Sequence, residues 1–222
     1  MSTFYVVATP IGNLEDITLR AIRILSEVSL ILCEDTRVTK KLLDKYDIKT
    51  PTISYHAQSG ETKVELILEK IEEGKDIALV TDAGTPGISD PGSILISRVR
   101  EKFSDVQIVS IPGASALTAA LSIAGVPIHE FIFLGFLPHK KGRETLFKEI
   151  ADSDRTIVFY ESPHRILKTL ESLKTIPKKI TIVRELTKIY EEVLQGSAEE
   201  IFKILTEDPQ KQKGEFVVVV SN

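Results

Sequence analysis

Cysteine is almost absent: the 222 residues hold one, Cys33. A single thiol excludes an intramolecular disulfide and any metal site built from several cysteines of one chain. It sits in the apolar run "SLILCED", where it is expected to be a small buried side chain. Long apolar runs are missing too; none approaches the roughly 18 residues that read as a membrane span. The opening "MSTFYVVATPIG" has neither a basic start nor a long apolar stretch, so no secretion signal is expected. His56, His129 and His139 show no metal-ligand spacing, and no metal is expected. Internal repeats, low-complexity tracts and Ser/Gly linkers are lacking. These absences fit a protein of the cytoplasm.

An excess of positive charge is also lacking. Lys and Arg number 28 against 32 Asp and Glu, a net charge of −4. The total carries no basic footprint for nucleic acid, but totals conceal patches. Residues 1–112 hold 13 cations and 17 anions, a balance of −4; residues 113–222 hold 15 of each, a balance of 0. An anionic partner is therefore expected on the second half, near "HKKGR" (139–143) and Arg165.

What the chain does have is alternation. "FYVVA" (4–8), "SLILC" (29–33), "DIALVTD" (76–82), "VQIVSI" (106–111), "TIVFYE" (156–161), "KITIVRE" (179–185) and "GEFVVVVSN" (214–222) read as strands. Helical spacing runs over 16–28, with Leu19, Ile22, Leu25 and Val28 on one face and Asp16 as N-cap. Further helices are expected over 62–74, with Val64, Ile67, Leu68 and Ile71 on one face, and near 142–151, 163–174 and 197–206. Continuous apolar strands between helices predict an α/β protein with mostly parallel sheets covered on both faces. A turn at "IPG" (111–113), before the small-residue helix 114–125, suggests two domains, 1–112 and 113–222. A cleft between two such domains is a favoured ligand site.

The stretch "VTDAGTPGISDPG" (80–92) packs three glycines and two prolines behind a strand. Glycine lets backbone approach a ligand, and proline fixes the path. In parallel sheets ligands sit beyond the carboxyl ends of strands. The loop is no phosphate-gripping Walker turn, because residues 87–93, "GISDPGS", offer no lysine. A dinucleotide G-x-G-x-x-G is absent too; "TPIGNLED" after the first strand has one glycine. Asp82 at the loop's mouth repels phosphate and suits a cationic or hydroxyl-rich ligand. Comparable clusters follow other strands: "ATPIGN" (8–13), "CEDTR" (33–37), "IPGAS" (111–115) and "FYESPHR" (159–165). Five special loops at strand ends favour a ligand site over five plain turns.

Taken in order, "VATPIGNLEDIT", "EDTR", "TDAGTPGISDPG", "IPGASALTAAL", "FLGFLPHKKGR", "FYESPHRI", "RELTKIYEE" and "KGE" resemble the ribosomal RNA small subunit methyltransferase I family. This is a branch of the tetrapyrrole methylase-like enzymes that use S-adenosylmethionine (AdoMet). The resemblance runs from Tyr5 to Glu215. It implies two α/β domains with AdoMet folded in the cleft between them, a fold distinct from Rossmann-type methyltransferases. It also implies methyl transfer to the ribose 2′-hydroxyl of a decoding-centre cytidine in 16S rRNA of the small ribosomal subunit, by a homodimer. Sibling branches act on tetrapyrroles or in diphthine synthesis, and an AdoMet-binding module without catalysis is a further alternative. Members of the family commonly continue beyond the final strand, whereas this sequence reaches Asn222 soon after "FVVVV".

Carried over position by position, the resemblance implies AdoMet contacts at Pro10, Ile11 and Gly12, at Asp82, Ala83, Gly84, Thr85 and Pro86, and at Ser115 and Ala116. In the second half it implies contacts at Tyr160, Glu161, Leu186, Gly214 and Glu215. A general base for the ribose hydroxyl is open among Asp35, Glu161 and His164. Asp35 has the alternative of simply pairing with Arg37. RNA phosphates are expected at Arg37, His139, Lys140, Lys141, Arg143 and Arg165, with "GFLPHKKGR" as the principal loop.

Overall fold

A computed structural model describes residues 2–222. The chain divides into two compact units, one ending at Ser115 and one running from Ala116 to Asn222. Among the described residues no helix is long and apolar enough to cross a membrane.

The first unit alternates strand and helix: β1 (Thr3–Val7), α1 (Leu19–Glu27), β2 (Leu30–Cys33), α2 (Thr36–Lys45), β3 (Thr52–Ser54), α3 (Glu61–Glu72), β4 (Ile77–Leu79), α4 (Gly92–Lys102) and β5 (Gln107–Ile111). Its five strands lie in the order β3-β2-β4-β1-β5, every neighbouring pair parallel. Alternate side chains explain the continuous apolar runs. Val7, Ile31, Cys33, Ala78 and Val80 pack against Ile24 and Leu25 of α1 and Leu42 and Leu43 of α2. Phe4, Val6, Leu30, Leu32, Ile77 and Leu79 pack against Ile67 and Ile71 of α3 and Leu95 and Val99 of α4. Both sheet faces are buried, as parallel sheets require.

Helix α1 differs from expectation at its start. Residues Leu14–Asp16 already form a 3₁₀ turn, and the N-cap is Thr18, whose hydroxyl accepts from Ala21 N at 3.1 Å. The buried stripe is Ala21, Ile24 and Leu25, while Leu19 is 85% exposed. Thr18→Ala is expected to destabilise the protein by about 1 kcal/mol and Asp16→Ala by less than about 0.5 kcal/mol. Urea unfolding of both variants checks this; the reverse order would restore Asp16 as the cap. Helix α2 and the short edge strand β3 carry too few apolar residues to announce themselves in the sequence. α2 buries only Thr39, Leu42 and Leu43.

The second unit holds α5 (Ala116–Ile123), β6 (Phe131–Phe136), α6 (Arg143–Asp152), β7 (Thr156–Glu161), α7 (Ile166–Leu173), β8 (Lys179–Arg184), β9 (Glu192–Gly196), α8 (Ala198–Glu207) and β10 (Phe216–Ser221). The strand order is β6-β7-β10-β8-β9. The expectation of a mostly parallel sheet fails here. β6 and β7 are parallel, but β10 runs antiparallel to both β7 and β8, and β8 to β9. The short connection between β8 and β9 permits only a hairpin, since a parallel pair needs a crossover of about a dozen residues. The last strand enters the middle of the sheet, and all six of its residues are buried. A continuous apolar run reports burial of both faces, not strand direction. Phe147, Ile150, Leu170, Leu173, Ile201 and Leu205 of α6, α7 and α8 cover one face, against Phe159, Ile182 and Val218. On the other, α5 lies along β10, and Gln195 Nε2 ties Ala124 O (2.8 Å) to Thr181 Oγ1 (3.0 Å).

Candidate active site

Because the first sheet is wholly parallel, its loops after β1, β2, β4 and β5 emerge at one edge. They are laced together there. Thr9 and Gly84 exchange both main-chain hydrogen bonds, N to O at 2.9 and 3.0 Å. The Thr9 hydroxyl donates to Thr81 O at 3.0 Å, and the Thr85 hydroxyl to Ala114 O at 3.2 Å. Each of these threonines precedes a proline, which confines it to extended backbone and lets its hydroxyl reach a neighbouring loop. The repeated Thr-Pro pair was the sequence signal for this lacing, and neither threonine was expected to cross-link loops. Asp82 Oδ1 accepts from Asp35 N at 3.0 Å, joining the β4 and β2 loops.

The glycines have separate tasks. Gly84 sits at φ +87°, left-handed backbone that the Thr9 bridge requires. A side chain at Gly92 would meet Asp90 Oδ1 at 2.8 Å. That carboxylate, not anticipated as a site residue, holds the turn by accepting from Gly87 N at 2.8 and 2.9 Å and from Gly92 N at 2.7 Å. Of the expected cofactor contacts, Pro10, Ile11, Gly84 and Pro86 are buried, Asp82, Thr85, Ser115 and Ala116 half-buried, and Gly12 and Ala83 exposed. Lys and Arg are absent from 80–91, so the cradle has no cation of its own for a phosphate.

Glu34 is a second residue that sequence reasoning missed. Burial pushes its carboxyl above the ordinary value, and the like charges of Asp82 and Asp90 push the same way. A carboxyl raised in the folded state adds stability below its unfolded value and loses it as pH rises through the folded one. Glu34→Gln is therefore expected to raise the melting temperature at pH 7, with the advantage shrinking toward pH 4. Thermal unfolding at both pH values tests this; an equal difference at both would assign the effect to packing.

Asp35 caps α2 and accepts from Arg37 N at 2.8 Å, while its Oδ2 meets Arg37 Nη2 at 2.6 Å. The side-chain hydrogen bond from Arg37 leads the causes that lower its pKa to about 2. The Arg37 side chain is 88% exposed.

In the second unit, β6, β7 and β8 end at the same edge at which β10 begins, with Glu161, Phe216 and Arg184 in one row. Tyr160 stands there with its ring against Phe133 (centroids 5.0 Å) and Phe136 (5.4 Å), and burial raises its phenol pKa. Leu186 is buried and Gly214 half-buried at this edge. Glu215 N donates to Glu185 Oε1 at 3.1 Å, and Lys188 Nζ bridges Glu185 Oε1 (2.8 Å) and Glu215 Oε2 (2.9 Å). Glu185 (φ 51°), within that clamp, and Thr187 (φ 65°), whose N donates to Glu191 Oε2 at 2.5 Å, adopt left-handed backbone, which costs on the order of 1–3 kcal/mol each.

Glu161 closes β7. Its side chain is fully enclosed, with Oε1 2.7 Å from Arg165 Nη2 and Oε2 accepting from Thr169 Oγ1 at 2.6 Å. Arg143 is also buried, and Arg165 is largely so. Both guanidiniums turn inward to main-chain carbonyls, Arg143 to Pro138 O and Arg165 to Leu137 O. His139, Lys140 and Lys141, on the loop those carbonyls belong to, are exposed, as is His164 in the turn after β7.

Comparison with known proteins bears on both edges. A sequence profile of the Tetrapyrrole (Corrin/Porphyrin) Methylases matches residues 3–201. A ribosomal RNA small subunit methyltransferase I of Halalkalibacterium halodurans is 46% identical over 222 residues, 98% of this chain and 75% of that one. The protein of the same name from Thermotoga maritima is 44% identical over 223 residues, 100% of this chain and 99% of that one. Among solved structures, uroporphyrin-III C-methyl transferase from Thermus thermophilus, complexed with S-adenosyl homocysteine, superposes with a TM-score of 0.67 at 17% identity, covering 100% of this chain and 98% of that one. At that identity the likeness concerns the fold.

Proposed function

The chain belongs to the ribosomal RNA small subunit methyltransferase I family of the tetrapyrrole methylases, and from that premise we propose that it moves a methyl group from AdoMet to the ribose 2′-hydroxyl of a decoding-centre cytidine in 16S rRNA. The observation that carries the reading is the cross-laced cradle of the first unit, with Asp82 half-buried at its mouth.

The cradle fits AdoMet chemically. The ligand's sulfonium is a cation, its adenosine offers hydroxyls and amine donors, and it has no phosphate. Asp82 spends one lone pair on Asp35 N and keeps others for such donors. Residues 82–86 and 10–12, with Ser115, would hold it. Bound, AdoMet supplies an electrophilic methyl on a positively charged sulfur. The protein's part is alignment, and the Thr9–Gly84 bridge and the Asp90 turn fix the cradle before a ligand arrives. Preorganisation of this kind contributes up to about 7–11 kcal/mol in favourable cases.

The ribose hydroxyl must also lose its proton. A carboxylate held near pKa 2 by Arg37 is a weak base, which argues against Asp35. Glu161 is enclosed and already paired. His164, exposed in the turn after β7, is the candidate that remains. The exposed residues 139–141 offer Lys140 and Lys141 to RNA phosphates. The family also implies a homodimer, which light scattering in solution would register as twice the chain mass.

The test is incubation with methyl-labelled AdoMet and small ribosomal subunits from cells lacking this gene, followed by nuclease digestion and mass spectrometry. Label on the ribose of a decoding-centre cytidine supports the reading. AdoMet binding with no label on any subunit RNA would overturn it in favour of another acceptor.

A further inference from the structure

Loop 137–142 joins β6 to α6 and bears two adjacent exposed lysines, Lys140 and Lys141. Lys140 O accepts from Arg143 N at 3.2 Å, but the base of the loop is gripped by side chains from elsewhere. Arg143 Nη1 donates to Pro138 O at 3.2 Å, and Arg165 Nη1 donates to Leu137 O at 2.7 Å. The two guanidiniums share one counter-charge. Glu161 Oε1 takes Arg165 directly at 2.7 Å. Glu161 Oε2 accepts from the Thr169 hydroxyl at 2.6 Å, and that hydroxyl accepts from Arg143 Nη2 at 2.8 Å. Ser162 N donates to the same carboxylate at 2.8 Å. Glu161 is 2% exposed, Thr169 0% and Arg143 7%. A buried carboxylate with this many donors is an anchor, and deleting its charge would leave two buried cations facing each other uncompensated.

We propose that Glu161 is a positioning residue for the substrate loop: through Arg165 directly, and through Thr169 and Arg143, it fixes the carbonyls of Leu137 and Pro138 and so sets where Lys140 and Lys141 meet RNA. The inference rests on the RNA reading above, and it gives the buried arginines a function that is not direct phosphate contact. Binding energy is lost when a contact loop must be ordered by its ligand, so a pre-anchored loop lowers KM for RNA more than it raises kcat.

The experiment compares Glu161→Gln, Thr169→Val and Thr169→Ser in the full chain. Two readouts are used: amide hydrogen exchange with trypsin cleavage after Lys140 and Lys141, and steady-state methylation of small ribosomal subunits. Glu161→Gln and Thr169→Val are expected to speed exchange and cleavage in 137–143 by about 10-fold or more, with the rest of the second unit within about twofold. KM for subunits should rise by about 10-fold or more while kcat and AdoMet affinity change far less. Thr169→Ser, which keeps the hydroxyl, should restore the wild-type loop. Unchanged loop exchange in both disruptive variants, or a uniform loss of protection across the unit, overturns the positioning role. If Glu161→Gln fails to fold, the nearly isosteric Thr169→Val still decides. Because exchange is read without RNA, inactivity of the wild type on subunits would count against the RNA reading while the loop result stood by itself.

Discussion

Replacement of Asp82 by alanine is expected to weaken AdoMet binding by about 10- to 100-fold, the loss of one charge-assisted hydrogen bond at a partly buried site. The variant removes two things at once. It takes away the acid proposed to face a cationic, hydroxyl-rich ligand, and it frees Asp35 N, so the link between the β2 and β4 loops opens. The other laces remain, because the Thr9–Gly84 bridge and the Thr9 and Thr85 hydroxyl bonds do not involve the Asp82 side chain. Stability should therefore fall by about 1 kcal/mol or less while affinity falls much further. Titration calorimetry with AdoMet, beside urea unfolding, separates the two. Wild-type affinity would take the cofactor away from this edge of the sheet.

Reversal of Lys140 and Lys141 to glutamate is expected to weaken binding of small-subunit RNA by about 10- to 100-fold and to flatten its salt dependence. Both residues are exposed, so the fold has no stake in them, and AdoMet affinity should be unchanged. Salt is the discriminating variable. If the loop contacts phosphates, the wild type loses affinity steeply with added salt and the variant less steeply. Equal RNA affinity and equal salt slopes would move the contact surface elsewhere, with His139 and the other cations of the second half as the next test.

Much of this was legible in the residues. Continuous apolar runs and helical stripes located most elements, because burial on two faces or on one leaves those patterns whatever the fold. Gly84 and the prolines at 86 and 91 marked the cradle because special backbone angles need those residue types. Other features were silent. Edge strand β3 and helix α2 bury little, so composition left no trace of them. Asp90 and Glu34 looked like ordinary acids. One caps turn amides, and the other has a raised pKa only because burial and two neighbouring carboxylates surround it.

The sequence by itself determined the α/β class, the edge-of-sheet loops and, through its ordered motifs, the family. Each of these depends on local residue identity. Tertiary structure alone decided that the last strand enters the second sheet antiparallel, since direction follows from chain connections and not from apolar content. It also decided which charges face water. Arg143 and Lys140 read alike as cations of one loop, yet one is buried against Thr169 and Pro138 and the other is exposed. Arg143 is linked to Glu161, 18 residues along the chain, through the hydroxyl of Thr169, and only the folded sheet brings those three side chains together.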